Sequence, residues 1–298
     1  MPEGNTIHRF ARRQSKDFGG KRARVQSPQG RFAAEAGRLD RRRFLRAEAH
    51  GKHLFHIWEG GLVVHVHLGM AGEFYRFRGA APAPRASVRM RISAGPVTTD
   101  LIGPPTCELI SERERQIVLD RLGPDPLRAD ADPERVWSAL RRRSRPLGDA
   151  LLDQRLIAGV GNIIRNEALF LAGIHPLRRS SRLTREEWRR LWDTTSRIMR
   201  KGLRPGRFAT VDPREDPHTR SERSVGDAFY VYERAMCRRC GRPIQQFPLS
   251  GRRMWACPAC QPRNGGAPRL NRRESAARRL SAWPREWPRP RPTSDGWP

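Results

Sequence analysis

Residues 151–170 read LLDQRLIAGVGNIIRNEALF, and this stretch decides the fold. Apolar residues recur at helical spacing on both sides of AGVG, giving two helical runs, PLGDALLDQRLI and NIIRNEALFLAGI, joined at a turn. Gly159 and Gly161 supply that turn, because residues without a Cβ let one backbone approach another closely. Asn162 stands where a helix cap is expected. The N–H groups of that helix start, with the Asn162 amide beside them, are suited to a phosphate. A unit of this kind serves as a DNA contact or as plain scaffold, so the rest of the chain has to discriminate.

Upstream, HLFHIW and LVVHVHLGM around EGG read as two strands about a tight turn, and VRMRIS and VTTDLIG share their short period. Ile7, Phe10, Ala11 and Phe18 recur at helical spacing behind a start near Pro2 or Glu3. Downstream, PERVWSALRRR is helical. LTREEWRRLWDTTSRIMRKGL gathers Leu183, Trp188, Leu191, Trp192, Ile198 and Met199 close to one face. RPGRFATVDPREDPHTRSERSVG reads as a loop. The expected divisions are a strand-rich domain over 1–126, a helical domain over 127–226, a cysteine module over 227–261 and a tail over 262–298. That tail is rich in Pro and Arg and has too little apolar content to fold.

Lys and Arg number 59 against 31 Asp and Glu, a formal net charge of +28. A polyanionic partner, most simply nucleic acid, gains affinity from such a surface through counterion release. A generally basic or ribosome-associated protein is the competing reading of charge alone. Only Lys16, Lys21, Lys52 and Lys201 are lysines, so the arginine excess is not read as one phosphate contact per residue. No run of about 18 apolar residues exists to span a membrane, and the N-terminus lacks the apolar core of a secretory signal. Together with the cysteine usage, this points to a cytoplasmic, nucleoid-associated protein.

Cys237-x2-Cys240 and Cys257-x2-Cys260, sixteen residues apart, have the spacing of a four-cysteine zinc site. Four thiolates leave no open position for water, so the expected ion is one structural Zn²⁺ folding a short β-hairpin finger. Arg239, Arg242, Arg252 and Arg253 make that finger basic. His53, His56, His65 and His67 crowd the predicted hairpin, with His65 and His67 on one strand face. A second metal site there lacks a convincing carboxylate or third ligand. Histidines bonded to backbone or DNA phosphate are the reading we carry forward.

In order along the chain, PEG at the start, GKHLF, HLGMAG, RLGPDPL, LLDQRLIAGVGNIIRNEALF and GRRMWACPACQ resemble the formamidopyrimidine-DNA glycosylase/endonuclease VIII family over residues 1 to about 261. PEGNT is closer to the endonuclease VIII branch and HLGMAG to the formamidopyrimidine branch. The resemblance implies an α+β multidomain fold. An N-terminal β-sandwich with flanking helices is followed by a helix–two-turn–helix domain and a zinc hairpin, with damaged DNA in the cleft and a monomeric enzyme. Two departures stand out: Thr6 replaces a second glutamate of many relatives, and the approach VYERAMCRRC is short.

The resemblance also assigns roles. With Met1 removed, Pro2 becomes the nucleophile. A generic terminal amine has a pKa of ~7.7–8.0, which leaves roughly 10–20 % as free base at neutral pH, whereas an ordinary lysine has well under ~0.1 %. Attack on C1′ expels the base and leaves a charged iminium. Because the amine is secondary, that charge cannot be shed by losing an N–H proton, so the C2′ proton is acidified and β-elimination follows, then δ-elimination. Glu3 is the proton handler for the sugar ring oxygen, Lys52 assists β-elimination and grips a phosphate, and Arg252 (or its neighbour Arg253) stabilises the phosphate lost in δ-elimination. Met70 matches an intercalating wedge, against the plainer reading of a strand-end core residue. Arg121 and Asn162 match backbone contacts. Two rivals remain: the same chemistry on oxidised purines, and a zinc-ribbon DNA-binding protein without chemistry.

Overall fold

The computed structural model describes residues 2–204, 208–212 and 228–263. The expectations for the tail beyond 263, and for most of the loop before the cysteine module, fall outside these residues.

In chain order the first half comprises α1 (Gly4–Phe18), β1 (Arg24–Gln26), α2 (Ala33–Leu39), β2 (Phe44–His50), β3 (His53–Trp58) and β4 (Val63–His67). It continues with β5 (Glu73–Arg78), β6 (Val88–Ala94), β7 (Val97–Ile102), β8 (Thr106–Ile110) and α3 (Glu112–Asp120). The second half holds α4 (Pro133–Arg141), α5 (Leu147–Ala150), α6 (Asn162–Leu171) and α7 (Arg185–Lys201), then the hairpin β9 (Gln245–Leu249) and β10 (Arg252–Ala256).

Two antiparallel four-stranded sheets, β1-β6-β7-β5 and β2-β3-β4-β8, form the expected sandwich. Alternation decides which residues go in. Leu54, Trp58, Val64 and Val66 from one sheet and Met90, Ile92 and Leu101 from the other share a single apolar cluster with Ile7, Ala11 and Phe18 of α1. The opposite face of the second sheet is covered where Phe55, Ile57 and Val63 pack with Val118 and Leu119 of α3.

Two helical expectations need correction. The run PLGDALLDQRLI forms only the four-residue α5, and residues 151–158 wind into turns. Side chains in this segment compete for the backbone: Asp153 accepts from Arg155 N at 3.0 Å, while Gln154 donates to Leu152 O and Val160 O and accepts from Gly159 N. Asn162 is also not a cap. It is the first residue of α6, and Gly161 before it makes no side-chain cap bond.

α6 is the hub of the second half. Its apolar side joins Trp188, Leu191, Ile198 and Met199 of α7 in one cluster. Its polar residues are buried as well: Asn166 accepts from Trp255 N at 2.8 Å, and Glu167 accepts from Tyr230 N, Val231 N and Tyr232 N, each at 2.9 Å. These bonds fasten the cysteine module to the helical domain.

Candidate active site

The centre forms where three backbones meet on glycine. A Cβ on Gly4 would lie 2.7 Å from Gly159 Cα, and one on Gly51 would lie 2.9 Å from Gly159 N. Gly51 and Gly159 both have positive φ, 57° and 88°, a second reason for glycine at each. Gly4 N donates to Gly159 O at 2.9 Å, which threads the N-terminal segment against the turn ahead of α6.

Glu3 is thereby placed on the helix start. Its carboxylate accepts from Ile163 N at 2.7 Å and Ile164 N at 3.1 Å, and a Cβ on Gly161 would collide with it. The N–H groups that the sequence offered to a phosphate are therefore occupied from within the chain, as helix N-termini favour for anions. Burial raises the Glu3 pKa, while the Ile163 bond, the Lys52 charge and the Ile164 bond oppose that rise. Pro2, half-buried, is the residue immediately before it.

Lys52 lies in the β2–β3 turn. Burial pushes its pKa down, Glu3 opposes this, and the Arg252 charge adds to it. Arg252 opens β10, with both terminal nitrogens 3.9 Å from Met70 Sδ. Met70 itself is 68 % exposed, which excludes the core reading. Asn162 donates to Arg253 O at 3.3 Å and accepts from Arg165. Lys52 and Arg165 both feel the Arg252 charge, which distinguishes it from neighbouring Arg253. Pro2, Glu3, Lys52, Asn162, Met70 and Arg252 thus belong to one region. Arg121 is an exposed residue at the end of α3, apart from this network of bonds.

Sequence reasoning missed several supports. Asp125, in the middle of RLGPDPL, accepts from His8 Nε2 at 2.6 Å, Gly51 N at 2.7 Å and Leu127 N at 2.9 Å, holding α1 and the Lys52 turn together. Arg165 is fully buried, donates to Gly148 O and Arg253 O, and has its pKa lowered to about 10 by burial. Tyr232 packs on Trp255, and burial with its bond to Glu233 raises its pKa to about 12. The available signal was the polar run Arg165-Asn166-Glu167 inside an otherwise apolar helix.

The four cysteine sulfurs all lie within 4.8 Å of one another, with Cys240–Cys257 at 3.5 Å and Cys237–Cys260 at 3.9 Å. Tetrahedral zinc with bonds of ~2.3 Å separates sulfurs by roughly 3.8 Å, so the donor set and spacing fit that ion. The register pairs Arg252 with Leu249 and Ala256 with Gln245, with the tight turn at Ser250 and Gly251. No other group of three or more candidate ligands within that reach occurs among the described residues. The histidines are instead bonded within the fold: His56 to Gln14 at 2.6 Å, and His65 to Glu108 at 2.8 Å, so a carboxylate does stand beside them.

A sequence model of the formamidopyrimidine-DNA glycosylase N-terminal domain matches residues 1–100, and one of its H2TH domain matches residues 122–212. The chain is 45 % identical over 267 residues to endonuclease 8 1 of Mycobacterium tuberculosis, covering 88 % of this chain and all of that protein. Formamidopyrimidine-DNA glycosylase (MutM) of Thermus thermophilus shares the fold with a TM-score of 0.69 at 29 % identity, over 88 % of this chain and 99 % of that one. The Lactococcus lactis enzyme, solved in complex with DNA containing N7-benzyl-Fapy-dG, has a TM-score of 0.73 at 24 % identity over 88 % and 100 %. This chain belongs to the formamidopyrimidine-DNA glycosylase/endonuclease VIII family. Among the described residues no helix is long and apolar enough to cross a membrane.

Proposed function

We propose that this protein is a bifunctional DNA glycosylase and abasic-site lyase of the endonuclease VIII type, acting on oxidised pyrimidines. The observation that carries the reading is the seat of Glu3 on the α6 N-terminus, in electrostatic reach of Lys52, which in turn feels the charge of Arg252. A pure DNA binder has no use for a buried carboxylate next to a terminal proline amine. Identity of 45 % with a protein named endonuclease 8 supports the branch.

The reaction follows from the residues. The Pro2 nitrogen, freed by loss of Met1, attacks C1′ and the C1′–N bond to the damaged base breaks; the base leaves with that electron pair and takes up the proton that the Pro2 nitrogen gives up. Glu3, whose pKa burial raises, donates its proton to the ring oxygen as the sugar opens to the iminium. Loss of a C2′ proton then expels the 3′ phosphate. Lys52, pushed toward its neutral form by burial and by Arg252, takes up that proton more readily than an exposed lysine would. The Arg252 guanidinium stabilises the phosphate released in the second elimination. Met70 fills the space vacated by the flipped nucleotide; Arg121 and Asn162 bear on the phosphodiester chain. Zinc in the four-cysteine site holds the β9–β10 hairpin, and with it Arg252, in place. The division at 126 and 226 makes Asp125 the junction between sandwich and helical domain.

Borohydride added to protein and abasic-site DNA tests this: a covalent adduct is expected, and its absence removes the lyase. Incision of thymine glycol and dihydrouracil duplexes should exceed that of 8-oxoguanine duplexes, and the reverse order would transfer the enzyme to purine lesions.

A further inference from the structure

The outer face of the β2-β3-β4-β8 sheet changes character along its length. Where α3 covers it, it is apolar; toward the Lys52 turn it carries His53, His65 and His67, with Glu108 alongside on β8. The rings follow one another in series. His65 lies 5.1 Å from His53 and 5.1 Å from Phe55, while His53 lies 5.0 Å from His67. His65 Nδ1 is 2.8 Å from Glu108 Oε1, and His53 Nδ1 is 2.9 Å from His65 Nε2. His65 is buried, whereas the Glu108 side chain is 54 % exposed.

These contacts fix where protons can sit. Glu108 accepts, so His65 Nδ1 carries a hydrogen. With His65 neutral, its Nε2 accepts from His53 Nδ1–H, and His53 Nε2 is left as a bare acceptor. With His65 doubly protonated, its Nε2–H donates, His53 Nδ1 accepts, and the His53 hydrogen moves to Nε2. One proton added at His65 therefore converts the outer nitrogen of His53 from acceptor to donor, while His53 itself stays neutral. His67 behaves differently: Gly69 N donates to its Nδ1 at 3.2 Å, which fixes its hydrogen on Nε2.

We propose that Glu108, His65 and His53 form a proton relay that presents a switchable hydrogen-bond donor to a DNA phosphate at the Lys52 end of the cleft. This rests on the DNA reading above and goes beyond it in making strand affinity proton-linked. The surroundings keep the outer ring neutral. Burial, then the neighbouring His65, His67, His50 and Lys52, lower the His53 pKa to about 3, so His53 responds by moving its one hydrogen between nitrogens and does not itself become charged. On the far side, Arg115 of α3 lies over Phe55 and is bound to Glu48 and Glu112, so its charge is already matched. A negative phosphate at His53 Nε2 favours the donor form, and binding then draws in a proton. His53 and His65 are positioning residues for the strand; neither reacts with the sugar.

The test uses full-length, zinc-loaded protein and a duplex bearing a tetrahydrofuran abasic analogue, with Kd measured from pH 6 to 8 at fixed ionic strength. One proton taken up corresponds to a tenfold tightening for each pH unit lowered, as a limit. The wild-type protein should tighten by at least about threefold per unit. Glu108→Gln and His53→Asn should flatten the slope to less than half the wild-type value. A simple charge effect of Glu108→Gln would move every Kd by the same factor and leave the slope intact, and that result overturns the relay. Equal slopes in wild type and His53→Asn overturn it too. Borohydride trapping at saturating abasic DNA should be unchanged in Glu108→Gln. Loss of trapping in the wild type would instead bring down the underlying lyase assignment.

Discussion

The sandwich and the helical domain are closed by opposite means. In the sandwich the interior is an apolar cluster of Phe18, Phe44, Leu54, Trp58 and Met90, with the bonded pair His56–Gln14 as a buried polar contact. In the helical domain, α6 buries Asn162, Arg165, Asn166 and Glu167 in succession, and each bonds to residues brought from elsewhere in the chain. A greasy core holds its own domain together. The polar hub does something a greasy core cannot: it fixes separate segments at defined distances, with Glu3 at its N-terminus, β10 along its side and residues 230–232 near its end. Each such bond is directional, so the hub positions Glu3 and Arg252 relative to one another.

That contrast can be broken at either end. Glu167→Ala leaves the N–H groups of Tyr230, Val231 and Tyr232 without their acceptor, while the Thr210 hydroxyl keeps Ala228 O. At ~1–3 kcal/mol for each stranded donor, a loss of at least about 3 kcal/mol is expected in chemical denaturation, together with faster release of zinc to a chelator. Leu54→Ala should cost about 3 kcal/mol by leaving a cavity in the sandwich, with zinc retention unchanged. Equal zinc release from the two variants would mean that the hub does not hold the finger.

Asp125→Asn sharpens the comparison at the junction between the halves, where an expected cost of about 3 kcal/mol follows from leaving His8 without its charged partner. The sign with pH is defined. Burial alone would raise the Asp125 pKa, but the His8 bond, the His8 charge and the N–H groups of Gly51 and Leu127 outweigh it and hold the carboxyl below its ordinary value. Its contribution is thus complete at neutral pH and fades as pH falls below about 4 through the depressed folded value. Stability curves for wild type and Asp125→Asn should converge in that acid range, and a constant gap would show that the charge is not what matters. The smallest effect on folding belongs to Met70→Ala, within about 0.5 kcal/mol because the side chain is exposed. DNA affinity should still fall severalfold in a binding titration, and unchanged affinity would remove Met70 as a wedge.

What was legible in the sequence follows the same division. Strand alternation, the α7 stripe and the paired CxxC units are local patterns, and they located the strand-rich half, the helix and the finger; that the strands close into a sandwich was implied by the family resemblance. Glu3 on Ile163 and Ile164, Asp125 on His8, and Glu167 on residues 230–232 join positions far apart, and no period marks a long-range acceptor. The same blindness made Asn162 look like a cap. Local rules put a side-chain oxygen at the helix start, whereas Glu3, arriving from the other end of the sequence, fills that place. It also made 151–158 look helical, because apolar spacing does not register Asp153 and Gln154 turning back on their own backbone. The histidines were legible as a crowd and illegible as a chain, since Glu108 reaches His65 only through the β4–β8 pairing.

The account depends on covalent attack by the residue that Glu3 holds in place. The most direct measurement is peptide mass mapping of the borohydride-reduced adduct with abasic DNA. The sugar remnant should be found on a peptide whose first residue is Pro2, with Met1 gone. A remnant on Lys52, or an adduct peptide that still carries Met1, would contradict it.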